Sequence, residues 1–204
     1  IARMWPVDAV VGENGAFYFI YEQSKRKIIR RYWKSKEERA ADRKRLEKIQ
    51  CKILTTVKGC AVSSDQDYRE SDLAIDICED VKPLSDTSVM KIMDVFHKEG
   101  AVAKISSIHV NGWFGDYDKL KMTRILLEEY FHLNDAALID KILFVGDSPN
   151  DEPMFDYFKN SVGVGNIMNH VDQIQKLPAW VTTNKTAEGF LELTDSLLSA
   201  KANS

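Results

Sequence analysis

The stretch Ile142-Leu-Phe-Val-Gly-Asp147-Ser-Pro-Asn150-Asp151-Glu-Pro-Met154 decides how this chain folds. Four apolar residues, too few for a helix, run into a glycine and a polar loop, which is the pattern of a buried strand in a parallel sheet. Gly146 lets the backbone turn tightly, and open α/β sheets collect ligands at the carboxyl ends of their strands. Asp147 and Asp151, four residues apart on such a loop, suit a hard cation such as Mg²⁺, which takes a few oxygen ligands and keeps several waters. The same residues also fit a plainer arrangement, with Asp147 closing the strand and Asp151 capping the next helix. An EF-hand is excluded, because Pro149 stands at the third position and no glycine at the sixth.

Working outward, the rhythm of strand and helix continues to the C-terminal end. Val162-Gly-Val164 and Trp180-Val-Thr182 read as short strands, with helices over about 151–159, 171–176 and 186–198. Pro153 suits a first helical turn, where its missing N–H costs nothing. Upstream the pattern differs. A charged helix is predicted over about 35–49, a strand over 52–57, and a second strand where Leu73, Ile75 and Ile77 alternate with polar residues. A helix over 86–98 carries the stripe Val89, Ile92, Met93 and Phe96, with Gly100 just past its end, and a strand follows over 102–110. The whole predicts an α/β protein: a Rossmann-like parallel-sheet core, incomplete at the N-terminus, with an inserted α+β module. The boundaries expected are core over 1–24, the inserted module over 25–110, which the family resemblance given below makes a cap domain, and core again over 111–204.

Composition narrows the classes. With 204 residues, 44% hydrophobic and 29% charged, the chain has the makings of a folded domain. No run approaches the eighteen or so apolar residues a membrane span needs. Three cysteines without a CxxC pair indicate neither a disulfide framework nor a cysteine zinc site, and a cytoplasmic location is expected. A net charge of −3 argues against a nucleic-acid coat. The charge is uneven, however: residues 25–48 hold twelve Lys or Arg against four acids, a local +8 that leaves −11 for the rest. A solvated helix is the plain reading, and steering of an anionic substrate is the functional one.

Two further constellations stand out. In Gly115-Asp-Tyr-Asp118-Lys119-Leu-Lys121 a helix opens on lysines, which the helix dipole disfavours there, so a phosphate partner is one reason for their presence. Lys119 and Lys121 compete for that part. Asp67-Tyr-Arg69-Glu-Ser-Asp72 with Asp76 offers a guanidinium among carboxylates, the kind of set that grips sugar hydroxyls. Along the 102–110 strand, Ser107, His109 and Asn111 fall on one face. Against these stand a surface ion pair at Arg69, worth little, and an ordinary half-buried histidine at His109.

Taken together these residues resemble a known family. Gly146-Asp147-Ser-Pro-Asn150-Asp151-Glu-Pro-Met154 is similar to the fourth motif of the haloacid dehalogenase superfamily of phosphatases, in its G-D-x-x-N-D-x-x-M form. Val10-Val-Gly-Glu-Asn14-Gly-Ala16 resembles the I-x-E-N-G-A stretch of the branch with a type-two cap, which includes sucrose-phosphate phosphatases, Cof-type sugar phosphatases and phosphomannomutases. Asp118-Lys119 resembles the third-motif lysine of that branch. Val162-Gly-Val-Gly-Asn166 and Val181-Thr-Thr-Asn-Lys-Thr-Ala-Glu188-Gly189 are similar to its two later loops in order and spacing.

The resemblance implies a Mg²⁺-dependent phosphatase acting on a small sugar phosphate or related metabolite through an aspartyl-phosphate. A carboxylate nucleophile splits one hard step into two, while Mg²⁺ and a lysine neutralise the transferring phosphoryl. Carried over, Asp147 ligates Mg²⁺, Asp151 supports the metal and its waters, Asn150 hydrogen-bonds phosphate, and Lys119 screens it and the nucleophile. Asn14, Arg69 and His109 fall to the substrate side. A phosphomutase or phosphoryl transferase of the same superfamily and a non-catalytic binding fragment are the alternatives.

The family's first motif, D-x-D-x-T/V after an apolar strand, belongs ahead of Asn14, and none of the thirteen residues there fits it. The second, a Thr or Ser closing a strand, belongs ahead of residue 1. Asp65-Gln-Asp67, Asp116-Tyr-Asp118 and Thr55-Thr56 imitate these motifs out of order. The nucleophile is therefore expected upstream of Ile1, and residues 1–204 alone are expected to be inactive. A homo-oligomer or an N-terminal segment would complete the core.

Overall fold

Phe17-Tyr-Phe-Ile-Tyr and Lys27-Ile-Ile-Arg-Arg-Tyr are rich in aromatic and β-branched residues, and they pair as a hairpin. In the computed structural model, which describes residues 1–133 and 140–203, β1 (Val10–Gly12), β2 (Phe17–Glu22) and β3 (Lys27–Tyr32) form an antiparallel sheet in that order. Phe17 lies opposite Tyr32 and Glu22 opposite Lys27. The sequence reading assigned no strands here.

The charged helix, α1 (Lys36–Thr56), opens on a capping box in which the Ser35 hydroxyl accepts the Glu38 N–H and the Glu38 carboxylate accepts the Ser35 N–H. It runs through the segment where a strand over 52–57 was expected. The reason is periodicity: Leu46, Ile49, Ile53 and Val57 continue one buried stripe at helical spacing, which overrides the β preference of Ile53, Thr55 and Thr56. After β4 (Ala61–Val62) and β5 (Asp72–Asp76) comes α2 (Asp86–Lys98), capped by the Ser85 hydroxyl, with the bounds expected.

The single strand expected over 102–110 is a hairpin of two, β6 (Val102–Ile105) and β7 (His109–Trp113). Ser106 makes the bend: its hydroxyl accepts the His109 N–H and donates to the His109 carbonyl, each at 3.1 Å. These strands complete an antiparallel sheet of order β4-β5-β7-β6. Its core joins Leu73, Ile75, Val110 and Ala103 to Ile53 of α1 and to Ile92 and Phe96 of α2. Each of the fully buried side chains Ile53, Ile75, Ile92, Phe96 and Val110 contributes roughly 1.5–3 kcal/mol by leaving water. Gly112 must be glycine, since a Cβ there would stand 2.0 Å from the Phe96 ring.

The basic run is mostly exposed, and part of it is engaged in packing. Lys34 and Arg45 both bind the Asp42 carboxylate, and Arg43 donates to the Arg69 carbonyl at 2.7 Å. The Arg39 guanidinium lies 3.6 Å over the Tyr32 ring and that of Arg45 lies 3.4 Å over Phe114.

Helix α3 (Lys119–Glu129) follows, and further on come β8 (Leu143–Gly146), α4 (Glu152–Tyr157), β9 (Asn160–Gly163), β10 (Trp180–Val181) and α5 (Thr186–Ala202). The three strands form a parallel sheet of order β10-β9-β8, so the fold is α/β as read from the sequence. Pro153 sits in the first turn of α4. The helix expected at 171–176 is instead a 3-10 stretch over Gly165–Gln173. Phe144 packs on Phe155, Ile167 and Ile174, which covers one face of β8. The chain divides into two compact units, residues 1–126 and 127–204. Among the described residues no helix is long and apolar enough to cross a membrane.

Candidate active site

In the second unit, the loops after β8, β9 and β10 are drawn together at the carboxyl edge of the parallel sheet. The Val164 N–H donates to the Gly146 carbonyl at 2.9 Å, and the Gly165 N–H lies 3.0 Å from the Thr182 hydroxyl and 3.1 Å from the Asn184 carbonyl. The first of these loops carries Asp147, Asn150 and Asp151. Asp151 is buried, and its Oδ2 accepts the Asp147 N–H at 3.1 Å, the Ser148 N–H at 3.3 Å and the Ser148 hydroxyl at 3.3 Å. Asp151 therefore fixes the turn from within. Gly146 makes room for it, because a Cβ at that position would meet Asp151 Oδ2 at 2.8 Å.

The Asp147 side chain is exposed by contrast, and the Asn166 amide donates to its Oδ2 at 3.2 Å. Asn150 accepts the Ser148 hydroxyl at 2.6 Å, which holds its amide on the same turn. An exposed carboxylate on a strand end, organised by a buried one, fits a hard cation that binds through one or two carboxylates and water. On this loop Asp147 is the carboxylate open to solvent, and Asp151 is the one that shapes the turn.

In the first unit, Asn14 sits in the turn between β1 and β2 with left-handed backbone, φ 55°, and its neighbour Glu13 has φ 45°. Two successive residues in this region are strained, and side-chain bonds hold them there. The Asn14 amide donates to the Asp72 carboxylate at 2.9 Å. The Glu13 carboxylate accepts the backbone N–H groups of Glu70, Ser71 and Asp72 at 2.7, 2.5 and 3.2 Å. Burial, and then the charge of Asp72, push the Glu13 carboxyl up to about 7 despite those three bonds.

Arg69 grips two carboxylates. Its Nε and Nη2 donate to Asp65 at 2.8 and 2.9 Å, and its Nη1 to the buried Asp72 at 3.1 Å. Burial works against the guanidinium charge, but the two carboxylates hold its pKa above the ordinary range, and its hydrogen bonds keep Asp65 below the usual carboxylate value. His109, on β7, is buried with Nε2 2.8 Å from the Glu79 carboxylate. His109 and Asn111 share a face of β7, as expected, while Ser107 lies in the bend before it. The structure thus brings Asn14, Arg69 and Asp72 into one network and places His109 with Glu79.

Lys119 is the first residue of α3, half-buried. Asp118 caps that helix, accepting the Lys121 N–H at 2.8 Å. The Lys121 ammonium is held by the exposed Asp116 carboxylate.

Among the described residues, one group of three acidic side chains lies close enough to share an ion: Asp76, Glu79 and Asp80, with ligand atoms within 4.8 Å of one another. Asp76 is already committed, since its carboxylate accepts the N–H groups of Cys78, Glu79 and Asp80 at 2.9, 2.8 and 2.8 Å. Glu13 and Asn166 are the polar residues that sequence reasoning passed over. Both stood inside quoted motifs, yet only the hydrogen bonds reveal what each one holds.

Comparison with curated proteins found no match. Solved structures do resemble this chain. The sucrose-phosphatase of Synechocystis sp. PCC6803, solved with sucrose and phosphate, superposes with a TM-score of 0.62 at 14% identity, over 94% of this chain and 75% of its own. A Thermoplasma acidophilum protein gives 0.61 at 19% identity, over 91% and 70%. The subclass IIB sugar phosphatase BT4131 of the same superfamily gives 0.52 at 13% identity, over 86% and 70%. At such identities the likeness is one of fold. The sequence itself matches a family profile over residues 6–193. The chain belongs to the haloacid dehalogenase-like hydrolases.

Proposed function

We propose that this protein is a Mg²⁺-dependent phosphatase that hydrolyses a small sugar phosphate or related metabolite to the free alcohol and inorganic phosphate. The observation that carries the reading is the turn after β8, where buried Asp151 gathers two backbone N–H groups and leaves the Asp147 carboxylate exposed. Asp147 and, through the loop and its waters, Asp151 would hold the ion. When bound, Mg²⁺ supplies neutralisation of charge on the transferring phosphoryl. Asn150 hydrogen-bonds the phosphate, and Lys119 screens it and the attacking carboxylate. Asn14, Arg69 and His109 select the substrate from a framework in which each already holds a carboxylate.

The attacking aspartate is assigned outside residues 1–204, where it forms and then loses an aspartyl-phosphate to water. Within the chain the two D-x-D pairs have other work: Asp65 binds Arg69 and Asp118 caps α3. The three cysteines are free thiols, which suits a cytoplasmic enzyme.

The test is phosphate release from a panel of hexose and disaccharide phosphates, by residues 1–204 alone and by a form supplied with an N-terminal D-x-D strand. Turnover by the second form that needs Mg²⁺ and disappears in Asp147→Asn supports the reading. Turnover unaffected by chelator or by Asp147→Asn overturns it.

A further inference from the structure

The half-buried Asn166 side chain lies between two loops of the second unit and bonds to both. Its Nδ2 donates to Asp147 at two points, Oδ2 at 3.2 Å and the backbone carbonyl at 3.4 Å. Its Oδ1 accepts the Thr186 N–H at 3.1 Å. That N–H settles which end of the amide faces Asp147, since the oxygen is the end that must meet a donor. The supporting backbone is itself unusual. Thr186 has φ 52°, a region a β-branched residue rarely adopts, and it is in this conformation that its N–H is aimed at Asn166.

Among the described residues, Asn166 is the side chain that donates to the Asp147 carboxylate. Exposed on a loop, that carboxylate would otherwise sample several rotamers, and fixing one of them costs rotamer entropy at the moment of binding. A donor on Oδ2 and on the carbonyl of the same residue removes that freedom beforehand and leaves Oδ1 unengaged by Asn166. This is how an outer partner orients a metal ligand.

We propose that Asn166 is a positioning residue that pre-orients the Asp147 carboxylate for a divalent cation, with Thr186 as its backbone support. The inference rests on the proposed reading of Asp147 as a metal ligand, and the experiment separates the two. Mn²⁺ is titrated into the full chain, and free ion is followed by electron paramagnetic resonance, with broadening of the Asp147 amide signal as the site-specific readout. The wild-type chain broadens at Asp147, and Asp147→Asn abolishes that response. Asn166→Ala weakens it about 10-fold or more, the usual cost of losing such a partner.

Asn166→Ser, too short to reach Oδ2 but still polar, shows the same loss should the alanine variant fold poorly. Ser161→Ala is the control. It removes a buried hydroxyl outside these loops that accepts the Ala179 N–H at 3.1 Å, and so lowers thermal stability while leaving Mn²⁺ affinity within about 2-fold. No response in wild type, or an equal one in Asp147→Asn, removes the metal reading and the inference with it. A response abolished by Asp147→Asn but unchanged in both Asn166 variants overturns the positioning role alone.

Discussion

The Asp72 N–H donates to the Glu13 carboxylate at 3.2 Å, while the Asp72 side chain, buried and gripped by Arg69 and Asn14, sets its own negative charge against that same carboxylate. The pair ties the turn after β1 to the start of β5, and it makes stability depend on pH. Glu13 binds its proton in the fold up to about pH 7, whereas the unfolded chain releases it near 4.5. Its stabilising contribution is therefore whole below about pH 4.5 and is lost as pH rises through 7. Asp72, raised by its own burial, acts in the same direction. Urea unfolding at pH 5 and pH 8 is expected to differ by roughly 2–3 kcal/mol from this site. Glu13→Ala should flatten that slope while lowering stability at both values, and an unchanged slope would place the titration elsewhere.

Replacing Gly146 by alanine sets a methyl group 2.8 Å from Asp151 Oδ2 and 2.9 Å from the Phe155 ring. Overpacking of this kind costs about 1–3 kcal/mol, and here it also pushes Asp151 off the two N–H groups it holds. A lower melting temperature together with weaker Mn²⁺ binding is expected. A melting shift with intact binding would show that the turn tolerates displacement of Asp151.

Lys119→Ala is expected to reduce phosphate release by two orders of magnitude or more in the form that carries the nucleophile, as loss of a charge-stabilising group does. Lys121→Ala should cost less than about 3-fold, because its ammonium is held by exposed Asp116, a pair that contributes little. The reverse order of losses would exchange the roles of the two lysines.

Arg69 and His109 should separate on two substrates. Arg69→Ala leaves the fully buried Asp72 side chain without its cation, which costs about 3–5 kcal/mol, so activity on a sugar phosphate and on a small aryl phosphate should fall together with the melting temperature. His109→Gln removes a ring whose partner, Glu79, reaches solvent, so preference between the substrates should shift with little loss of stability. Equal losses for both His109→Gln activities would remove His109 from the substrate side.

Local pattern determined much of this protein. The apolar run ending at Gly146 and the stripe of α2 are set by residues within one turn or one strand of each other, so their elements could be read directly. The loops carrying Asp147, Asn166 and Asn184 could be ordered along the chain for the same reason. Tertiary structure decided the rest. Whether Ile53 and Thr55 lie in a strand or a helix depended on the apolar stripe running from Leu46 to Val57, which only the sheet beneath it buries. Part of the basic run became packing surface because the Phe114 ring and the Arg69 carbonyl, from elements far along the chain, came to meet Arg45 and Arg43. Glu13 is pushed up to about 7, and Asn166 aims Asp147, through partners 19 to 59 residues away in the chain. Hydrogen bonds and charges act across space at about 3 Å, and a sequence fixes such distances only after every intervening turn has been made.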